Sequence, residues 1–214
     1  MRKMIIILIG LVLAVLAINS NIIMHTSAEK AELKPEISTM RPWWVPEGVV
    51  GWKAVKSMDE DLRQAIVLAV DIPEEYWANT RCYFNYFDLN DDGRREVIAV
   101  LIGPYTSGSG GNMAVLLTEK QGSWQLQQLM TLIHAPVLVT KEKTNGYYNL
   151  QVLRAGGGTE VEPVQLTYGE DGFYTRVSNA PAVEIKKNME GTLLLNNDIS
   201  KDMIDGGWLS LEKK

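Results

Sequence analysis

Residues 82–102 read CYFNYFDLNDDGRREVIAVLI. Two runs rich in aromatic and β-branched residues, Cys82 to Phe87 and Arg95 to Ile102, flank a short knot of polar residues. Runs of this composition form strands. A loop this short turns the chain straight back, so the pair is antiparallel. The same signature recurs along the chain, at Met113 to Thr118, Val137 to Lys141, Tyr147 to Leu153, Val161 to Tyr168 and Phe173 to Val177. Trp124 to Leu132 reads as either a strand or a short helix. Gln121-Gly122, Asn145-Gly146, Gly156-Gly157-Gly158 and Asp171-Gly172 punctuate the runs as turns. Towards the end, Thr192 to Leu195 reads as a strand and Ser200 to Ile204 as a short helix.

One helix stands out before the strands begin. Met58 to Val70 carries Leu62, Ile66, Leu68, Ala69 and Val70 as an apolar face. Ser57 with Glu60 three residues later predicts a capping box. Pro73 ends the segment, since proline pushes its predecessor out of the helical region. The fold class that follows is α+β: a mostly antiparallel sheet, one principal helix and an N-terminal arm rich in tryptophan. The arm covers residues 29–56. Pro46 and Gly48 exclude a helix there, and Trp43, Trp44 and Trp52 are expected to pack it onto the domain. Residues 57–214 form the single α+β domain.

Residues 1–28 have the layout of an export signal. Arg2 and Lys3 precede an apolar run from Met4 to Ile18, and Thr26-Ser27-Ala28 offers small residues for cleavage. The alternative is an uncleaved anchor reaching to about Met24. Either way the expected location is exported: periplasmic, cell-surface or extracellular, with the membrane touched only through this segment. The chain of 214 residues has a net charge of −5, and losing Arg2 and Lys3 leaves the remainder more acidic still. With no basic run, it has no general attraction for phosphate backbones, and nucleic acid is not an expected partner.

The knot between the first two strands carries the chemistry. Asp88, Asn90 and Asp92 place side-chain oxygens at alternate positions, Gly93 supplies a sharp turn, and Glu96 follows three residues later. Calcium takes six to eight oxygen ligands, and alternate residues of a tight loop can turn towards one point. The expected ligands are Asp88, Asn90, Asp92, the backbone carbonyl near Arg94, and Glu96, with calcium in a structural role. The competing reading is a metal-free turn, because Asp and Asn side chains also bond their own backbone. An EF-hand is excluded, since its bidentate glutamate position falls on Ala99.

The pattern Asp88-Leu89-Asn90-Asp91-Asp92-Gly93, with Glu96 and strands on both sides, resembles the calcium loop of FG-GAP (VCBS-type) repeats over Tyr83 to Ile102. A single copy does not imply their propeller. Together with Gly103-Pro104-Tyr105 and Gly108-Ser109-Gly110-Gly111, the region also resembles a group of exported bacterial proteins of unassigned activity. Cysteines often flank the second glycine cluster in that group; here those places hold Thr106 or Ser107 and Asn112.

Candidate catalytic groups are sparse. Cys82 sits in an aromatic run and reads as a core thiol. His134 is the one histidine after the signal segment, with neither zinc-ligand spacing nor a nucleophile elbow to serve. The sequence therefore points to a non-enzymatic binding or structural module. Its partner is an unidentified protein or surface polymer, met by Tyr105, Ser107, Ser109 and Asn112 in one glycine-rich loop and by Thr159 and Glu160 in another. The alternative is a cell-envelope hydrolase using carboxylates such as Glu160 and Glu162.

Overall fold

The structure, a computed structural model, describes residues 35–213. The signal segment 1–28 and the first residues of the arm lie outside the described residues. The chain runs β1 (Ile37–Ser38), β2 (Glu47–Trp52), α1 (Glu60–Val70), β3 (Arg81–Phe87), β4 (Glu96–Ile102), β5 (Ser107–Gly108) and β6 (Gly111–Lys120). It continues through β7 (Ser123–Ile133), β8 (Val137–Thr144), β9 (Tyr147–Gly156), β10 (Thr159–Leu166), β11 (Asn188–Leu194), α2 (Ile199–Asp205) and β12 (Leu209–Ser210).

These strands form two six-stranded sheets rather than one. The first has the order β1-β2-β11-β8-β9-β10; the second runs β12-β3-β4-β6-β5, with β7 also paired to β6. Pairing is antiparallel except between β2 and β11. The sheets stack face to face. Tyr83, Ile98, Val100, Leu116 and Met130 of one sheet meet Val139, Leu150, Val152, Val164 and Leu194 of the other. Helix α1 covers the outer face of the second sheet, packing Leu62 and Ile66 on Phe84, Tyr86, Val97 and Leu101. Strands β3, β4 and β6 are therefore buried on both faces, which explains why Glu96–Ile102 is apolar without alternation after its first residue. Burying Leu62 and Ile66 completely contributes about 1.5–3 kcal/mol each.

Helix α1 ends at Val70 as expected but begins at Glu60 rather than Met58, Leu68 of the expected apolar face is exposed, and its cap is different. Asp59, not Ser57, is the N-cap, and its carboxylate accepts from the Leu62 N–H at 2.7 Å. Glu60 is thereby released from capping and binds the Arg63 guanidinium at 2.7 Å. Asp71 closes the helix in the left-handed conformation at φ 53°. The turns Gln121-Gly122 and Asn145-Gly146 both have two successive positive φ values, 54° and 80°, then 49° and 85°. These are the backbone angles of the tight hairpins β6–β7 and β8–β9.

The arm differs from expectation. Within its described part, β1 and β2 are strands of the first sheet, and β2 pairs parallel with β11. Trp44 is buried with Val45 against Leu138 and Leu193, on the outer face of that sheet. Trp52 packs against Phe87 with ring centroids 5.6 Å apart. Trp43 is 65 % exposed and does not hold the arm down. Phe173 to Val177 is not a strand: hydrogen bonds from Gly169 to Phe173 and from Thr175 to Thr167 make only a two-rung hairpin before a 3-10 turn at Val177–Asn179. Trp124 to Leu132 is resolved as strand. Among the described residues no helix is long and apolar enough to cross a membrane.

Candidate functional site: the 88–96 loop

The loop joins β3 to β4, whose register pairs Phe87 with Glu96. Its conformation is set by side chains bonding the loop's own backbone. Asp88 Oδ1 accepts from the N–H groups of Asn90 (3.3 Å) and Asp92 (3.2 Å), and its Oδ2 accepts from Gly93 (2.9 Å). Asn90 Oδ1 accepts from Asp92 (3.0 Å), and Asp92 Oδ1 accepts from Arg94 (2.8 Å). Asp91 and Gly93 take positive φ values of 62° and 81° to allow this winding. Asp88 and Asn90 share the Asp92 N–H, so their oxygens lie within about two hydrogen-bond lengths of each other.

Glu96 faces inward and is 2 % exposed. Its Oε2 accepts from the Leu89 N–H at 2.9 Å. Burial pushes its carboxyl up to about 7, and the nearby charges of Asp92 and Asp88 push the same way; the backbone N–H bonds pull it down by less. The oxygens present suit a hard cation in kind. They are not gathered tightly: among the described residues no three His, Cys, Asp or Glu side chains form a metal-holding group. Arg94 enters the loop's bonding through its backbone N–H.

The loop also fastens one sheet to the other. The Tyr148 N–H, on β9 of the first sheet, donates to Leu89 O at 2.8 Å. Lys143, on β8, donates to Asp91 Oδ2 at 2.6 Å and to Asn90 O at 3.2 Å. Tyr148 OH donates to Asp91 at 2.9 Å, and Asn90 Nδ2 donates to Tyr147 OH at 3.2 Å. The Lys143 ammonium beside Asp91, helped by Tyr148, holds that carboxyl below its ordinary range. Asp91, no part of the alternating pattern, is thus the residue that points outward to the neighbouring hairpin. Lys143, Tyr147 and Tyr148 were not expected from sequence. They lie more than fifty positions away, and nothing local marks them except the Asn145-Gly146 turn that carries them.

The two loops expected to meet a partner are brought together. A Cβ on Gly156 would fall 1.8 Å from Ser109 O, so the 107–111 and 156–158 loops touch backbone to backbone, and Gly156 must be glycine. Ser109, Thr159 and Glu160 are exposed there. Ser107 and Asn112 spend their side chains locally: Ser107 Oγ donates to Asn112 Oδ1 at 2.7 Å, and Asn112 Nδ2 donates to Ile133 O at 3.1 Å. Tyr105 is 40 % exposed, with its ring centroid 5.5 Å from that of Tyr76.

The remaining candidate catalytic groups differ in their surroundings. Glu162 is ion-paired to Arg154, while Glu160 is exposed on the surface. Cys82 is buried, and burial pushes its thiol up to about 12, far from a nucleophile's range. Comparisons with protein-family models, with curated proteins and with solved structures found no match to this chain.

Proposed function

We propose that the chain is an exported, non-enzymatic binding module in which one structural calcium ion supports the 88–96 loop. The observation that carries this reading is the loop's position: its oxygen-bearing residues lie where one sheet is bonded to the other, through Leu89, Asn90 and Asp91. Asp88, Asn90, Asp92, Glu96 and the Arg94 carbonyl would hold the ion, in keeping with the FG-GAP-like spacing. The ion would offset the mutual repulsion of three carboxylates, one of them buried. The chain's own residues do the rest, since Asp88 winds the backbone and Asp91 fixes the neighbouring hairpin. Export rests on the signal-like segment 1–28.

The contact surface in this reading is the joined pair of glycine-rich loops, facing a protein or surface polymer. A hydrolase using Glu160 and Glu162 is less well supported, because Arg154 already neutralises one of the two carboxylates. Calorimetric titration of the protein with calcium, beside Asp88→Ala and Asp92→Ala variants, tests the ion. Saturable heat from the parent, with a Kd of about 10⁻⁴–10⁻³ M or tighter and none from the variants, is expected. No heat from the parent leaves the metal-free turn, closed by its own backbone bonds, as the correct account.

A further inference from the structure

Four pairs of an acidic or amide residue followed by glycine lie among the described residues: Asp92-Gly93, Asn145-Gly146, Asp171-Gly172 and Asp205-Gly206. In such a pair the glycine amide nitrogen can attack the side-chain carbonyl carbon before it, because glycine has no side chain to hinder the approach. The attack needs a nitrogen whose N–H is not already engaged. Three of the four are engaged. Gly93 N–H donates to Asp88 Oδ2 at 2.9 Å, Gly172 N–H to Gly169 O at 3.1 Å, and Gly206 N–H to Asp202 O at 2.9 Å. Gly146 N–H has no hydrogen-bond partner among the described residues. The side chains differ in the same direction. The negative charge of an aspartate repels a nucleophile, whereas the neutral amide of Asn145 does not.

Asn145 and Gly146 are the two-residue loop of the β8–β9 hairpin, closed by the pairing of Thr144 with Tyr147. Both are exposed, and a Cβ on Gly146 would meet no atom within 4 Å, so solvent reaches the nitrogen freely. Asn145 Nδ2 donates to Tyr168 O at 2.8 Å, which ties the tip of the hairpin to the 167–169 segment. The Tyr147 and Tyr168 rings stack beside that bond, 3.8 Å between centroids. The same hairpin carries Lys143, Tyr147 and Tyr148, the residues that hold the 88–96 loop from the first sheet. A change at its tip therefore acts on the fastening between the sheets. A two-residue turn also fixes the register of the strands it joins.

We propose that Asn145 is a site of spontaneous deamidation in the folded protein, and that its conversion loosens the hairpin from the 88–96 loop. The Gly146 nitrogen gives up its proton to solvent and bonds to Asn145 Cγ. The Cγ–Nδ2 bond breaks, and ammonia leaves with the proton taken back from solvent. Water then adds to one of the two carbonyls of the resulting five-membered imide and breaks that carbonyl's bond to nitrogen. The product is aspartate or isoaspartate. Water is the only co-reactant, and nothing is oxidised or reduced. Either product loses the Nδ2 donor and sets a carboxylate against Tyr168 O. Isoaspartate also adds one carbon to the backbone of the turn, which the register of Thr144 with Tyr147 does not accommodate. The inference uses hydrogen bonds of the chain itself and does not depend on calcium.

The test is prolonged incubation of the full chain at mildly alkaline pH, folded in buffer and unfolded in urea, with conversion at each of the four pairs followed by peptide mapping and mass spectrometry. Asn145 should convert in the folded chain at a rate within about tenfold of its rate in urea, while folding slows each Asp-Gly pair by more than about tenfold, the cost of first releasing its N–H. The converted chain, one negative charge richer, separates on an anion exchanger. Its Tyr148 amide should exchange hydrogen at least about tenfold faster than in the parent. An Asn145 that stays intact in the folded chain, or that folding slows as much as the Asp-Gly pairs, overturns the site. Conversion that leaves Tyr148 exchange unchanged overturns the loosening of the hairpin.

Discussion

Replacing Glu96 by Gln isolates the one buried carboxylate of the loop. The amide keeps an oxygen for the Leu89 N–H that Glu96 Oε2 now accepts at 2.9 Å, so the change removes charge with little change of shape. In the folded chain the Glu96 carboxyl is raised from 4.5 to about 7. The folded state therefore keeps a proton that the unfolded state releases. Stability from this group is fully present below about pH 4.5 and is lost as pH rises through about 7. At about 1.4 kcal/mol per pKa unit, the loss approaches about 3 kcal/mol. Urea unfolding of parent and Glu96→Gln, in chelator, from pH 4.5 to 8 measures it. The variant should match the parent at pH 4.5 and exceed it increasingly up to pH 8. Carboxyls shifted the other way, such as Asp91, act equally in both proteins and cancel in the difference. A difference that does not vary with pH would refute the claim that this side chain is buried and destabilised when ionised.

Gly156→Ala should cost well over about 1 kcal/mol, since its new methyl meets Ser109 O; Gly157→Ala, with no atom within 4 Å, should cost only about 1 kcal/mol of backbone strain. Thermal melts of the two variants rank them, and equal costs would mean the two loops do not touch. Cys82 should resist alkylation in the native protein and react at the rate of unfolding, as thiol labelling across a denaturant series shows. Ile66→Ala should lose about 2–5 kcal/mol in denaturant titration, because it leaves a cavity between α1 and its sheet.

Much of this fold is legible in local sequence, and the reasons are physical. Asn145-Gly146 and Gln121-Gly122 need positive φ, so their hairpins are written into single dipeptides. Pro73 and the Leu62, Ile66 and Val70 spacing locate α1 without tertiary information. The division into two sheets is not written locally. β4 is apolar on both faces, a pattern shared by a strand between two layers of any kind, and only its partners decide which layers those are. β2 was hidden because its partner β11 lies about 140 positions away and its six residues include Gly48 and Gly51. At the loop, the alternating oxygens mark Asp88, Asn90 and Asp92, whereas the outward role of Asp91 depends on Lys143 and Tyr148 arriving from the other sheet.

The loop fastens the two sheets through Leu89, Asn90 and Asp91, and the proposed calcium would strengthen that fastening. Its most direct test is hydrogen exchange at the Tyr148 amide, which donates to Leu89 O across the junction at 2.8 Å. For a site with a Kd of about 1 mM, calcium at about 10 mM stabilises the loaded state by about 1.4 kcal/mol, which slows exchange about tenfold. That slowing is expected in the parent and is expected to be absent in Asp92→Ala. An exchange rate in the parent that is the same with calcium and with chelator would contradict it.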